Sequence, residues 1–173
     1  MTGDSRPPIE GTLHSNRGEG IVRLRASYET DVENLWSAIT DPQRVAKWYG
    51  TVSGDFNVGG EFTAAVFASG WDGHVRIDEC VPHRRLEVTM WEREEAQHVV
   101  AAELVADANH AILSLEVRGL PLDLVWAYGA GWQVHLEDLG RHLEGREGLN
   151  PPTRWDELEP LYQAMFVEQL RGS

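Results

Sequence analysis

Histidine is the residue type in this chain best suited to metal chemistry, and the sequence contains seven. His135 and His142 stand seven residues apart in a run with helical periodicity, so about 10.5 Å along the helix axis separates them. That separation cannot close around a single ion. The sequence has no HExxH or CxxC motif and no dense set of carboxylates. We therefore predict no metal site and no other cofactor.

The sequence contains no motif typical of nucleophilic catalysis or of nucleotide binding. Gly129-Ala130-Gly131 is similar to part of a dinucleotide-binding loop, but a third glycine is missing and no parallel strand ends there. There is no GxSxG nucleophile motif and no phosphate-binding P-loop. The single cysteine, Cys80, cannot form an internal disulfide, and its place in a strand pattern predicts a buried, unreactive thiol. We name no catalytic residue.

Two polar residues are candidates for contacting a bound molecule. Glu79 has the same strand parity as Val75 and Ile77, so we expect it to point to the same side of the sheet. The alternative is an exposed acid at the end of that strand. His135 lies beside the apolar face of its predicted helix, where it either lines an interior space or forms a hydrogen bond at the surface. The roles of both depend on the elements that carry them.

The longest predicted element is a helix over 122–143. Its apolar face consists of Trp132, Leu136, Leu139 and Leu143, which recur at helical spacing. Gly129 and Gly131 each weaken its first half by about 1 kcal/mol relative to alanine. These glycines permit either a close approach to the sheet or a kink.

Short alternating runs of apolar and polar residues predict strands over most of the preceding sequence. The predicted strands are 11–14, 21–26, 51–56, 61–68, 74–81, 85–92, 97–106 and 111–118. After the second strand, Thr30 or Asp31 can cap a first short helix, and Asp41 can cap a second over 42–48. A sheet of this kind has one face to bury. We therefore predict an α+β fold, in which a curved antiparallel β-sheet wraps around the long C-terminal α-helix.

Length and charge limit the classes of partner. The 173 residues suffice for one domain with a sizeable core. Acidic residues outnumber basic ones by 28 to 15, and the formal charge of −13 opposes binding to nucleic acid or to an anionic membrane surface. The sequence has no signal-peptide pattern and no membrane-spanning apolar run, so we expect a cytoplasmic protein.

The two ends of the chain differ from its middle. Residues 1–10 include Pro7-Pro8 and few apolar side chains, which predicts a mobile N-terminal tail. We expect the domain itself over 11–147 and a helical extension over 148–173. An isolated helix of this length is marginal in water, so the extension should dock on the domain or on a second subunit. Its apolar face consists of Leu158, Leu161, Tyr162, Met165, Phe166 and Leu170.

Tryptophan is unusually frequent, with seven residues against four phenylalanines. Its indole ring combines a large apolar surface with an N–H donor that needs a partner. This combination suits a partly wet apolar cavity. A solid, tryptophan-rich core is the alternative, and composition does not decide between the two.

A series of short motifs in a fixed order resembles a known family. The motifs are the run from Val32 to Pro42, Trp48-Tyr49, Val58-Gly59-Gly60-Glu61-Phe62, Pro82 with Arg84-Arg85-Leu86, and Thr89-Met90-Trp91. The series resembles the family related to the activator of Hsp90 ATPase, within the START/Bet v 1-like (SRPBCC) superfamily. The resemblance runs from about Gly11 to about Phe166. It implies a helix-grip fold with a pocket for apolar or aromatic molecules between the sheet and the C-terminal helix.

The resemblance also implies which residues line that pocket. We expect its volume to be of order 300–1,000 Å³. The expected lining residues are Trp48, Phe56, Phe62, Phe67, Trp71, Ile77, Glu79, Met90, Val100, Leu113, Trp132, His135 and Leu136. The alternative for the apolar members is that they form an ordinary solid core.

Three functions are compatible with the resemblance. The first is a cytoplasmic protein that binds a small hydrophobic or aromatic ligand. The second is an enzyme of the polyketide cyclase/aromatase kind, which would place a ring system beside an acid or base. The third is a co-chaperone-like partner of an Hsp90 ATPase. A small molecule is the expected partner, and a homodimer or a chaperone partner is a further interpretation.

Overall fold

One eight-stranded antiparallel sheet runs through the computed structural model, which describes residues 6–171. Its strands are β1 (Ile9–Asn16), β2 (Glu19–Tyr28), β3 (Gly50–Gly54), β4 (Glu61–Val66), β5 (Asp72–Val81), β6 (Arg85–Trp91), β7 (His98–Asp107) and β8 (His110–Pro121). The strand order is β1-β2-β8-β7-β6-β5-β4-β3, so β3 to β8 form a meander and the β1–β2 hairpin joins it through the pairing of β2 with β8. The predicted α+β helix-grip fold is confirmed.

Four α-helices accompany the sheet. They are α1 (Val32–Thr40), α2 (Pro42–Trp48), α3 (Val125–Leu143) and α4 (Thr153–Phe166). Asp31 caps α1 by accepting a hydrogen bond from the backbone N–H of Asn34, and Asp41 caps α2 through that of Gln43. The long helix begins at Val125, because the three residues before it form a 3₁₀ turn. A π-helical turn over Val167–Arg171 follows α4.

Alternation along the strands places the core on one face of the sheet. In β2, Val22, Leu24, Ala26 and Tyr28 are buried and the residues between them are not. Helix α3 lies across this buried face. The hydroxyl of Tyr28 donates a hydrogen bond of 2.7 Å to the carbonyl oxygen of Leu136 and so joins the sheet to the middle of α3.

The other side of α3 is covered by the C-terminal extension. Leu158 and Tyr162 of α4 are buried, and the Tyr162 hydroxyl donates to Gln133 of α3. A Cβ atom placed on Gly129 would lie 2.6 Å from the Tyr162 ring. Gly129 therefore permits a close approach of α4. It also permits the approach of the sheet that was one of the two expectations, since the same Cβ atom would lie 3.2 Å from Leu13 of β1.

The domain begins at least two residues before residue 11, the boundary expected from the sequence. Strand β1 begins at Ile9 and pairs with β2, so residues 9 and 10 belong to the sheet. Pro7 reaches α3, where a Cβ atom on Gly140 would lie 3.0 Å from it. Alternation of apolar residues is weak in this segment, and only pairing with β2 makes it a strand. Residues 1–5, the rest of the expected mobile tail, lie outside the described residues.

Among residues 6–171, no helix combines the length and the apolar character needed to span a bilayer.

Candidate ligand-binding site

An apolar cavity of about 180 Å³ lies between the sheet and α3. Its walls come from α1, α2, α3 and strands β3 to β8. Ala64 on β4 and Ala102 on β7 present small side chains to this space, which helps to leave it open. The volume is smaller than the 300–1,000 Å³ expected from the sequence. An apolar cavity of about 150 Å³ is large enough to hold benzene in another protein.

The structure brings most of the expected lining residues together. Those on the wall of this cavity are Trp48, Phe56, Phe62, Ile77, Met90, Val100, Leu113, Trp132 and Leu136. The indole N–H of Trp48 donates to the carbonyl oxygen of Ala38 at 2.9 Å, so its polar atom already has a partner. The cavity wall is thus almost entirely carbon.

The expectation for Glu79 was wrong because of a β-bulge. Strand β5 pairs Ile77 with Val88 and then Glu79 with Glu87, which leaves Asp78 as an extra residue. The extra residue reverses the side-chain alternation from that point onward. Glu79 therefore points to the outer face of the sheet, where it accepts a hydrogen bond of 3.1 Å from Arg85.

The prediction of a buried thiol at Cys80 was also wrong, and the same bulge affects this residue. Its side chain returns to the face of the cavity, but at the end of β5, where it is exposed to solvent. The thiol therefore forms part of the cavity rim and is accessible, whereas the sequence predicted a buried thiol.

Phe67 is also wrongly assigned to the cavity. Strand β4 buries Ala64 and Val66, so the next residue points to the opposite side, and its side chain is 45% exposed. The backbone N–H of Phe67 donates to the carbonyl oxygen of Tyr49, which holds the end of β4 beside α2.

Trp71 and His135 line a second hollow, which we call the aromatic cleft. It has a volume of about 330 Å³ and lies next to the cavity. Its ring-bearing residues are Tyr49, Trp71, His98, Tyr128, Trp132, His135 and Trp155. Tyr49 and Trp132 line both spaces and stack with ring centroids 5.9 Å apart, so this pair stands between the cavity and the cleft.

The histidines of the aromatic cleft are neutral at physiological pH. Burial lowers the pKa of His98 and of His135 to about 4. His135 packs edge-on against both Tyr49 and Trp132, at centroid distances of 5.1 and 5.2 Å. Its Nδ1 atom is buried without a hydrogen-bond partner in the described part of the chain.

Several lining residues were missed in the sequence. Leu86 and Val88 on the cavity wall alternate along β6, so strand parity alone could have identified them. Tyr128 in the cleft lies four residues before Trp132 on α3, so helical spacing could have identified it. Trp155 gave no such signal, because helix α4 had no assigned position on the domain. No set of three or more histidine, cysteine or acidic side chains within residues 6–171 is arranged to hold a metal ion.

The buried histidines predict a dependence of stability on pH. Between about pH 6.5 and 4, His98 and His135 become protonated in the unfolded chain but stay neutral in the folded chain. The free energy of unfolding therefore falls as the pH falls through this range. Asp138 acts in the opposite sense up to about pH 6, because burial raises the pKa of its carboxyl to about 6.

Urea unfolding at pH 7 and pH 5 measures this effect. We expect His135→Gln, which cannot take up a proton, to lose less stability than the wild type, by about 1–2 kcal/mol. Contributions from all other groups cancel in this comparison. Equal losses in the two proteins would show that His135 titrates normally in the fold.

Comparison with known proteins identifies the family. The family model described as Activator of Hsp90 ATPase homolog 1-like protein matches residues 29–144, from the residues before α1 to the end of α3. The chain belongs to this family. The match places it in the SRPBCC superfamily, as the sequence motifs predicted. Comparison with the curated proteins found no match.

Solved structures resemble this Hsp90-activator-like chain over most of its length. CalU16 from Micromonospora echinospora is 23% identical with a TM-score of 0.76, and the alignment covers 92% of this chain and 98% of CalU16. The Aha1 dimer from Colwellia psychrerythraea is 18% identical with a TM-score of 0.64, covering 74% and 98%. These two similarities establish the fold.

DynU16, a protein of the dynemicin biosynthetic locus, is 28% identical to this family member with a TM-score of 0.69. The alignment covers 75% of this chain and 49% of DynU16, so the chain spans about half the length of that protein.

Proposed function

We propose that the protein binds a small apolar or aromatic molecule in the cavity between the sheet and α3. The observation that carries the proposal is an open space of about 180 Å³ whose walls are almost entirely carbon. Burial of apolar surface contributes about 25 cal/mol per Å², so a ligand of matching shape gains affinity without a polar anchor. A ligand site is typically a concave, mostly apolar space that exists before the ligand binds.

The volume limits the ligand to about one ring. A toluene-sized molecule fits the space as it stands. A larger ring system requires the rim to move, and Phe56 is the candidate, because it lines the cavity and is 39% exposed.

An enzyme of the polyketide cyclase kind is the alternative function. General acid–base catalysis needs a titratable group within hydrogen-bond reach of the substrate. Among the described residues that line the cavity, Tyr49 and Cys80 are the titratable ones, and burial raises the pKa of Tyr49 above its ordinary value. The cavity therefore favours binding over catalysis.

Toluene tests the proposal directly. We expect it to bind with a dissociation constant of roughly 0.1–1 mM, which corresponds to about −5.5 to −4 kcal/mol. Because Cys80 is on the cavity rim, saturating toluene should slow the alkylation of its thiol by iodoacetamide several-fold. Mass spectrometry of the intact protein follows the reaction.

The control fills the cavity from the helix side. Leu136 is buried on the wall, and Leu136→Trp adds bulk that an empty space can accept. This variant should stay folded, and toluene should no longer change its alkylation rate. Two results together would indicate a solid core and reject the proposal. Toluene would not change the alkylation rate of Cys80 in the wild type, and Leu136→Trp would be destabilised by about 1–3 kcal/mol.

The finer assignments stay predictions. The Aha1 structure to which this chain is similar is a dimer, which supports testing for a homodimer by light scattering. A chaperone partner and a cytoplasmic location rest on the sequence resemblance and composition.

A further inference from the structure

The aromatic cleft has features that the apolar cavity lacks. Its volume of about 330 Å³ falls within the range of about 300–1,000 Å³ that small-molecule sites occupy. Trp71, Trp132 and Trp155 are only partly buried, so part of each indole surface is uncovered. Small residues of α3, Ala127 and Gly131, stand one turn apart on its wall and leave room between the rings. Such walls suit a planar ring that stacks on aromatic faces.

His135 supplies a polar group to this cleft. It is 6% exposed, and its Nδ1 atom has no hydrogen-bond partner among the described residues. Because a buried N–H without an acceptor is costly, the proton of the neutral ring belongs on the other nitrogen, Nε2. The side chain therefore keeps one N–H donor, on Nε2, for a bound molecule. A ligand that complements this donor carries a hydrogen-bond acceptor.

The charge around the aromatic cleft further limits the class of ligand that it can bind. The exposed residue Glu92 lines the cleft, and the chain carries a formal charge of −13. Both oppose an anionic ligand. A carbonyl oxygen is a neutral acceptor of the required kind.

We propose that the aromatic cleft is a second binding site, which takes a neutral planar ring molecule with a carbonyl oxygen that accepts a hydrogen bond from Nε2–H of His135. The site adjoins the cavity of the proposed function, because Tyr49, Met90 and Trp132 line both spaces, and it has its own set of aromatic walls. It also depends on the C-terminal extension. Trp155 belongs to α4, outside the residues 29–144 that match the family, so the matched segment does not build this site alone.

A pair of probes with the same skeleton tests the proposal. 9-Fluorenone carries a carbonyl group where fluorene carries a methylene group. Isothermal titration calorimetry should show that the wild type binds fluorenone roughly three- to tenfold more tightly than fluorene, the ratio expected for one neutral hydrogen bond. His135→Phe should remove this preference, and His135→Gln, whose amide can donate from a similar place, should retain part of it.

Two filling variants locate the bound probe. A Cβ atom on Gly131 would have only Trp155 nearby, at 3.7 Å, so Gly131→Leu should project into the cleft, and leucine favours the helix over glycine. The Gly131→Leu substitution should lower the affinity for both probes at least tenfold. Leu136→Trp fills the cavity and should leave both affinities unchanged, so a failed toluene experiment and a failed fluorenone experiment are distinguishable.

Three results would overturn the second site. One is equal affinity for fluorene and fluorenone in the wild type, which removes the role of His135. Another is unchanged fluorenone binding in Gly131→Leu combined with its loss in Leu136→Trp, which places the probe in the cavity. The third is no binding of either probe to the folded wild type, as judged by its thermal unfolding.

Discussion

Replacing Arg154 by alanine is expected to lower the free energy of unfolding by about 3–5 kcal/mol. Glu137 on α3 is 2% exposed and accepts two hydrogen bonds of 2.7 Å from the guanidinium of Arg154 on α4. Without Arg154, the carboxylate stays buried with weaker partners. These are the amides of Gln133 and Asn150 and the more distant Arg6, whose Nε lies 3.5 Å from Oε1 of Glu137. Urea denaturation at pH 7 measures the loss.

Two control variants test whether the loss of stability comes from leaving the buried Glu137 carboxylate unpaired. Glu157→Ala removes the exposed partner of Arg154 and should cost less than about 1 kcal/mol. The double variant Glu137→Gln with Arg154→Met removes both charges and keeps an acceptor for Gln133, so it should be more stable than Arg154→Ala alone. If Arg154→Ala costs no more than Glu157→Ala, the buried pair does not hold α4 in place.

Replacing Tyr162 by alanine should cost about 3–5 kcal/mol. Its side chain is 1% exposed, lies against Gly129 of α3 and Gly11 of β1, and donates a hydrogen bond of 2.6 Å to Gln133. The alanine variant leaves a ring-sized void and an unpaired amide oxygen. Thermal and urea unfolding measure the effect. The neighbouring Leu161 is 58% exposed, and Leu161→Ala should change stability by less than about 0.5 kcal/mol.

A pair of glycine variants tests the same contact from the other side. Gly129→Ala gains helix propensity but places a methyl group 2.6 Å from the Tyr162 ring, so overpacking should destabilise the protein by about 1–3 kcal/mol. Gly131→Ala meets only an ordinary contact with Trp155 and should gain up to about 1 kcal/mol. Equal effects of the two substitutions would contradict the close packing of α4 on α3.

Local patterns predicted the elements well because their causes are local. Alternation in β2 follows from a sheet with one buried face. Asp31 and Asp41 cap helices because their carboxylates reach the free N–H groups of the next turn. The apolar spacing of α3 similarly predicted its position on the sheet.

Features that depend on distant segments escaped prediction. The bulge at Asp78 inserts one residue into a pairing that strand parity assumes to be regular, and so Glu79 and Cys80 exchange faces. Glu137 and Asp138 on α3 are buried acids that no local pattern indicates. They are buried because the C-terminal extension covers the second side of α3.

The sequence by itself determined the order and type of the main elements, because strand and helix periodicity are local patterns. Its resemblance to the family indicated most of the cavity wall. Only the tertiary structure decided the size of the cavity and the existence of the aromatic cleft. The cleft combines Trp71 before β5, His135 on α3 and Trp155 on α4. No local pattern relates these three residues, and only the packing of α4 on α3 brings the last of them to the others.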